Sequence, residues 1–243
     1  MQRRWGNTLA AMQSKYACSN TEQVCLQQRR RNSLEKSQRK GFKIVDNKGH
    51  RIFCIMGKSG TGKDTLYKKL LDDEALPFER LVPCTTRPIR AGEQNGREYH
   101  FYTIEDFRAL EQAGRIIESR CYDTVYGPWY YFTADDGQID LARHSTLLIG
   151  TLESYVALRA YYGADRVVPV YIEVEDGERL QRALDRERSE SEPKYRELCR
   201  RFLSDCDDFS EERIAEAGIT RRFENDELER CMQEIKEFLL EMM

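Results

Sequence analysis

The residues of this chain best suited to chemistry lie in Cys54-Ile55-Met56-Gly57-Lys58-Ser59-Gly60-Thr61-Gly62-Lys63-Asp64-Thr65. Gly57, Gly60 and Gly62 permit positive φ and close backbone approach, so successive N–H groups across Lys58, Ser59 and Thr61 can point inward at phosphate oxygens. Lys63 adds a point charge suited to β- and γ-phosphates, and a helix starting after it would turn its positive end toward the same anion. In the pattern G-x-x-x-x-G-K the next residue is normally a hydroxyl that ligates Mg2+; here it is Asp64, followed by Thr65. A carboxylate takes a hard cation directly or through water, and Thr65 can shift into the role, so both are candidate metal ligands.

A second constellation sets Arg87 and Arg90 three residues apart before a turn, with Tyr99 beyond it. Arginine forks grip phosphate bidentately, and a tyrosine hydroxyl completes such a cage.

These residues need elements to position them. The apolar, β-prone run Ile52–Met56 predicts a buried strand, and Leu66, Tyr67, Leu70 and Leu71 fall at helical spacing after the glycine turn. Strand and helix patterns then alternate, which predicts a parallel α/β sheet. Strands are expected over 80–84, 147–149 and 167–174, with an edge strand over 222–224. Helices are expected over 151–162, with Leu152, Tyr155, Val156 and Arg159 on one side, and over 177–188 and 194–205. A polar, glycine-bearing stretch to about residue 136, with β-like runs over 98–102 and 129–133 and a helix over 104–112, reads as an inserted subdomain. A last helix is expected with Asn225 as its cap, Asp226 and Glu227 in its first turn, and Leu228, Met232, Ile235, Leu239 and Met242 along one face.

With 243 residues and 40% hydrophobic content, the chain can bury a sizeable core as one large domain or two small ones. Residues 1–50 carry 11 Lys+Arg against 3 Asp+Glu, whereas the remainder carries 28 against 39, so the net charge of −3 hides a basic tail on an acidic body. The tail, 1–48, has no sustained period and is expected to stay disordered. It reads as a solvated appendage, a nucleic-acid contact or an Arg-rich targeting peptide. Eight cysteines without a C-x-x-C pair, and three scattered histidines (His50, His100, His144), show no zinc spacing. Without a secretory signal they read as reduced thiols of a cytoplasmic protein. No apolar run approaches the roughly 18 residues that span a bilayer, so no membrane partner is expected.

The spacing T-T-R-x-x-R-x-x-E-x-x-G-x-x-Y-x-F, starting 22 residues after Lys63, resembles in full the signature of the guanylate kinase family. The resemblance covers residues 51 to about 240. It implies an α/β fold: a P-loop NTPase core with a central parallel sheet flanked by helices, an inserted α/β acceptor-binding subdomain over about 84–136, and a helical lid over about 185–201, all within 49–243. It implies ATP with Mg2+ as donor and GMP or dGMP as acceptor, in a monomer or homodimer. Arg87, Arg90 and Tyr99 would hold the acceptor phosphate, Tyr126 would be a second phosphate tyrosine, and Glu118 would read guanine. Lid arginines look similar to those in Leu184-Asp185-Arg186-Glu187-Arg188 and Cys199-Arg200-Arg201-Phe202. Arg186, Arg188 and Arg201 are taken as catalytic with Lys63 and Arg87.

The chain also departs from the family pattern. Pro83, Pro128 and Thr151 stand where the family places groups that help fix guanine. The phosphate machinery is therefore better kept than the base reader, which implies relaxed discrimination. Two rival readings are a kinase for another nucleotide or small phosphate ester, and a guanylate-kinase-like module whose cleft binds a protein. The intact glycine loop and Lys63 favour an enzyme.

Overall fold

Strand β1 (Ile52–Met56) is buried along its whole length. Ile52, Cys54 and Met56 enter one core, with Leu152, Tyr155 and Leu158, while Phe53 and Ile55 enter another, with Leu66, Leu70, Ile235 and Leu239. A strand covered on both faces carries a continuous apolar run, which is why this one was legible in the sequence.

The computed structural model describes residues 49–124 and 126–243, so the expectations for 1–48 lie outside the described residues. The remaining strands are β2 (Phe78–Arg80), β3 (Cys84–Thr85), β4 (His100–Phe101), β5 (Ile116–Thr124), β6 (Gly127–Ala134), β7 (Ser145–Ile149), β8 (Val167–Glu173) and β9 (Arg222–Glu224). The helices are α1 (Lys63–Leu71), α2 (Ile104–Gln112), α3 (Leu152–Tyr162), α4 (Asp176–Ser189), α5 (Tyr195–Asp208), α6 (Glu211–Glu216) and α7 (Leu228–Met242).

The central sheet has five strands in the order β2-β7-β1-β8-β9, every neighbouring pair parallel. Buried residues of α3 meet one face, and those of α1 and α7 meet the other. Leu66 and Leu70 of α1 and Ile235 and Leu239 of α7 are fully buried. Each such side chain contributes roughly 1.5–3 kcal/mol relative to an exposed one. A second sheet, β4-β3-β6-β5, is mixed and carries its own small core of Cys84, Phe107, Phe132 and Ala134. Phe107 comes from α2, which starts in a capping box between Thr103 and Asp106.

Several expectations are corrected. The strand expected over 80–84 is divided between the two sheets. β2 ends at Arg80 in the central sheet, and β3 begins at Cys84 in the other. Between them the side-chain amide of Gln138 pairs with both backbone groups of Val82, accepting from its N–H at 2.9 Å and donating to its carbonyl at 3.1 Å. Pro83 has no N–H to continue a ladder.

Asn225 does not cap α7. Glu227 holds that position without a side-chain bond, and Asn225 is buried with its amide committed elsewhere. Val156 is 46% exposed, the inner face of α3 being Leu152, Ser154, Tyr155 and Leu158. Thr151 instead caps α3 through a reciprocal box with Ser154.

Strand β5, nine residues long, was not expected. It contains a bulge between Ile116 and Glu118, so the period-two alternation breaks where a strand pattern would be sought. Ile116 packs in the small core with α2, and the bulge turns Glu118 to the opposite face, beside Thr133.

Candidate active site

The glycine loop joins the end of β1 to α1. Gly62, at φ 80°, is the N-cap of α1 and brings no side chain to bond its first N–H groups, which leaves the helix start open to an anion. A Cβ on Gly62 would sit 2.5 Å from the Asn225 amide nitrogen, and one on Gly60 (φ 87°) 2.8 Å from the Arg179 carbonyl oxygen. Both glycines thus serve backbone approach as well as conformation. Lys63 Nζ reaches back over the loop to within 3.5 Å of the Lys58 carbonyl oxygen, and Thr61 donates its hydroxyl to that oxygen at 2.8 Å. Asp64 and Thr65 are exposed on the first turn of α1.

Three residues without a place in the motif, Asn225, Arg179 and Asp205, hold this loop. The buried Asn225 donates its amide to the Thr61 carbonyl at 2.7 Å. Arg179, on α4, is fully buried and donates to the Ser59 carbonyl at 3.0 Å and to Asp176 at 3.1 Å. Its guanidinium lies 3.6 Å from Asp205 and 4.1 Å from the centre of the Phe202 ring, both on α5. Asp205 in turn accepts the Ser59 N–H at 2.6 Å, so Ser59 is gripped through both backbone groups. Lys58 is drawn to Asp176 at 3.2 Å.

Replacing Asn225 with Ala removes the partner of a buried carbonyl. The expected cost is about 1–3 kcal/mol of stability, together with a raised KM for the phosphate donor. Thermal unfolding and donor titration read the two effects; unchanged values in both would show that the Asn225 bond does not organise the loop.

The second sheet collects several of the acceptor candidates on one face. Glu118, Arg120 and Tyr122 of β5 lie opposite Thr133, Tyr131 and Trp129 of β6, and Tyr131 lies opposite Thr85 of β3. Directly opposite residues share a face, and the other face packs on α2. Arg87 is 4% exposed and pairs in a fork with Glu93 at 2.7 and 2.6 Å. Its guanidinium carbon lies 4.9 Å from the centre of the Tyr99 ring, and its Nε is buried without a hydrogen-bond partner among the described residues. The bond from Arg87, with a second from the Arg90 N–H, holds the Glu93 carboxyl down to about 2. Glu93 is a residue whose role the sequence reading missed, although its place in the R-x-x-R-x-x-E spacing marks it.

Glu118 accepts from the Thr133 hydroxyl at 2.9 Å and has 9% of its side chain exposed. Burial raises its pKa, against the opposing pull of Arg120 and Thr133.

Other candidates stand apart. Tyr126 is 82% exposed in the β5–β6 turn, stacked on Trp129 with ring centres 6.3 Å apart. Arg90 is exposed and meets Glu93 through its backbone, its N–H donating to the carboxylate at 2.8 Å and its carbonyl accepting the Glu93 N–H at 3.1 Å. Arg186 is exposed, and Arg188 pairs with Asp185 at 3.4 Å. Between them Glu187 is buried and accepts the Lys194 N–H, joining α4 to the start of α5. Arg201 is half-buried, its Nε 4.0 Å from Glu197 and without a hydrogen bond among the described residues.

A parallel sheet with a glycine loop at the end of its central strand, and a separate sheet presenting arginine, tyrosine and carboxylate, defines a P-loop phosphotransferase architecture. The guanylate kinase family model matches residues 49–242, and the chain belongs to that family. A curated guanylate kinase of Porphyromonas gingivalis is 29% identical over 196 residues, covering 79% of this chain and 98% of that protein. One of Cupriavidus metallidurans is 41% identical over 80 residues, 32% of this chain and 35% of the relative. The crystal structure of guanylate kinase from Anaplasma phagocytophilum has the same fold, with a TM-score of 0.51 and 23% identity over 80% of this chain and 87% of its own.

Proposed function

We propose that this protein transfers the γ-phosphoryl group of ATP to GMP or dGMP, giving ADP and the corresponding diphosphate. The observation that carries the reading is the pairing of two sites in one family fold. One is a phosphate loop backed by Lys63, and the other is a face that carries Arg87, Tyr99 and Glu118. The intact loop speaks against a module that only binds protein.

In-line transfer between two bound phosphates needs positioning and charge neutralisation rather than a protein nucleophile. The loop N–H groups and the start of α1 hold the donor's phosphates, and Lys63 leaves the Lys58 carbonyl to meet them. Arg87 offers its unpartnered Nε to the acceptor phosphate while its fork stays on Glu93. Glu118 accepts from the N1–H and amino group of guanine. Arg90, Tyr126 and the lid arginines Arg186, Arg188 and Arg201 reach the phosphates on closure, which also excludes water.

The exposed oxygen donors of Asp64 and Thr65, beside the loop, fit a hard cation. When bound, Mg2+ neutralises charge on the β- and γ-phosphates. Asp64→Ser is expected to keep or improve Mg2+-dependent turnover, and the alanine variants at 64 and 65 tell which side chain meets the ion. Unchanged Mg2+ titration midpoints in both alanine variants would mean that neither does.

Glu118→Gln tests the acceptor. Guanine offers two donors to the carboxylate and hypoxanthine one, so the substitution should cost about tenfold more in kcat/KM for GMP than for IMP. Because burial raises the Glu118 pKa, the wild-type KM for GMP should rise as pH falls through a range above that of an ordinary carboxylate. The sign for stability is opposite. The folded state holds this proton more tightly than the unfolded chain, so the buried carboxylate costs stability at neutral pH and the cost fades on acidification. Equal losses for GMP and IMP would remove Glu118 from the base site.

A further inference from the structure

We infer that Arg120 reads the acceptor edge of the base, O6 and N7, beside Glu118. The inference rests on the guanine-nucleotide reading above and adds a residue that the reading did not contain. An ionised carboxylate only accepts hydrogen bonds, so Glu118 recognises the N1–H and amino donors of guanine and is blind to its O6 and N7 acceptors. A site built on Glu118 alone would leave that edge unread, and the chain has prolines at 83 and 128, which carry no donor.

The bulge in β5 supplies what is needed. It turns Glu118 away from α2, and period-two spacing then brings Arg120 to the same face. Among the described residues Arg120 Nε is buried and makes no hydrogen bond of good geometry, its neighbour being Glu118 Oε2 in an ion pair at 3.5 Å. A buried N–H held only by so long an ion pair keeps hydrogen-bonding capacity that a ligand acceptor can use. Glu118 Oε1 carries the Thr133 bond, and each carboxylate oxygen has a second lone pair, so Glu118 can meet guanine while Arg120 remains beside it. An arginine fork matches the O6/N7 pair of guanine, and it opposes adenine, whose six-position amino group is a donor.

The alternative is that Arg120 only balances the charge of Glu118, and ligand editing separates the two. The experiment compares GMP, IMP and 7-deaza-GMP, in which C–H replaces N7, on the wild type, Arg120→Met and Arg120→Lys, following transfer kinetics with ATP and calorimetric binding of each monophosphate. The wild type should use 7-deaza-GMP less well than GMP. Arg120→Met should raise the KM for GMP and IMP roughly tenfold or more, raise that for 7-deaza-GMP much less, and leave the KM for ATP unmoved. The preference for GMP over its 7-deaza analogue would then collapse toward unity. Arg120→Lys keeps the charge beside Glu118 without the fork, so it should also lose the preference; it decides the matter if the methionine variant does not fold. Equal losses on all three nucleotides, or a KM for GMP within about twofold of wild type, would overturn the assignment and leave an ion-pair partner. If the wild type phosphorylates no purine monophosphate, the functional reading fails together with this one. If the wild type is active and the ratios do not move, only the Arg120 assignment fails.

Discussion

Lys63→Ala is expected to lower kcat by on the order of 10²–10³ while the thermal unfolding midpoint stays close to that of the wild type. The reason lies in what the side chain touches. Lys63 is half-buried on the first turn of α1, and the contact its ammonium makes is a 3.5 Å approach to the Lys58 carbonyl, long for a hydrogen bond. Little stability rests on it. Its charge matters when the transferring phosphoryl group gathers negative charge at the loop, where a positioned cation stabilises the transition state more than the ground state. Turnover at the wild-type rate by a folded Lys63→Ala protein would remove the loop from the chemistry.

Arg179→Ala has the reverse signature, a large loss of stability with activity falling as a consequence. The guanidinium is fully buried, bonds Asp176 and the Ser59 carbonyl, and lies beside Asp205 and over Phe202. Deleting it leaves Asp205 and the 46% exposed side chain of Asp176 without their shared cation and the Ser59 carbonyl without its donor, a loss of about 2–3 kcal/mol. For a domain of this size that corresponds to a fall of roughly 4–12 °C in Tm. Arg179→Met keeps most of the volume, so a similar fall in that variant would assign the loss to charge rather than to a cavity. Differential scanning calorimetry reads the shift, and a midpoint within a degree or two of wild type would show that the cluster does not hold α4, α5 and the loop together.

The same cluster has a pH dependence. Burial pushes the Asp176 carboxyl up, but the bonds from Arg179 and Lys58 outweigh it and hold the pKa below the ordinary value. A lowered folded pKa means that this contribution is present above the unfolded value and is lost as pH falls through the folded one. The wild type should therefore lose part of its stability on acidification that Arg179→Met no longer has to lose.

What the sequence revealed and what it concealed follow from how far each signal reaches along the chain. β1 and α1 were legible because their determinants are local: a continuous apolar run, and helical spacing after a glycine turn. The spaced motif marked Arg87 and Tyr99, which follow β3 and precede β4, with the Arg87 guanidinium over the Tyr99 ring, beside the sheet whose β5 carries Glu118. Arg179 and Asn225 were not legible in their roles, since each acts on the loop across more than a hundred residues. In sequence, Arg179 is one more charge on a polar helix, and Asn225 imitates a helix cap. β5 was hidden by its own bulge, the feature that places Glu118 and Arg120. The expected strand over 80–84 failed because Val82 finds its partners in a side chain, Gln138, rather than in another strand. Tyr126, Arg186 and Arg188 are exposed, Tyr126 stacked on Trp129, which shares the sheet face of Glu118 and Arg120, and the roles proposed for them and for Arg201 rest on closure rather than on contacts in this arrangement.

The most direct test of the central claim is a product analysis. The full chain is incubated with Mg2+ and γ-labelled ATP, together with GMP, dGMP, IMP, AMP, CMP, UMP or dTMP in separate reactions, and the labelled products are resolved chromatographically. Label is expected in the β-position of GDP and dGDP with one ADP formed for each, with weaker transfer to IMP and background levels with AMP and the pyrimidine nucleotides. Label appearing in another monophosphate in preference to GMP, or ATP consumed only to inorganic phosphate whichever acceptor is present, would contradict it.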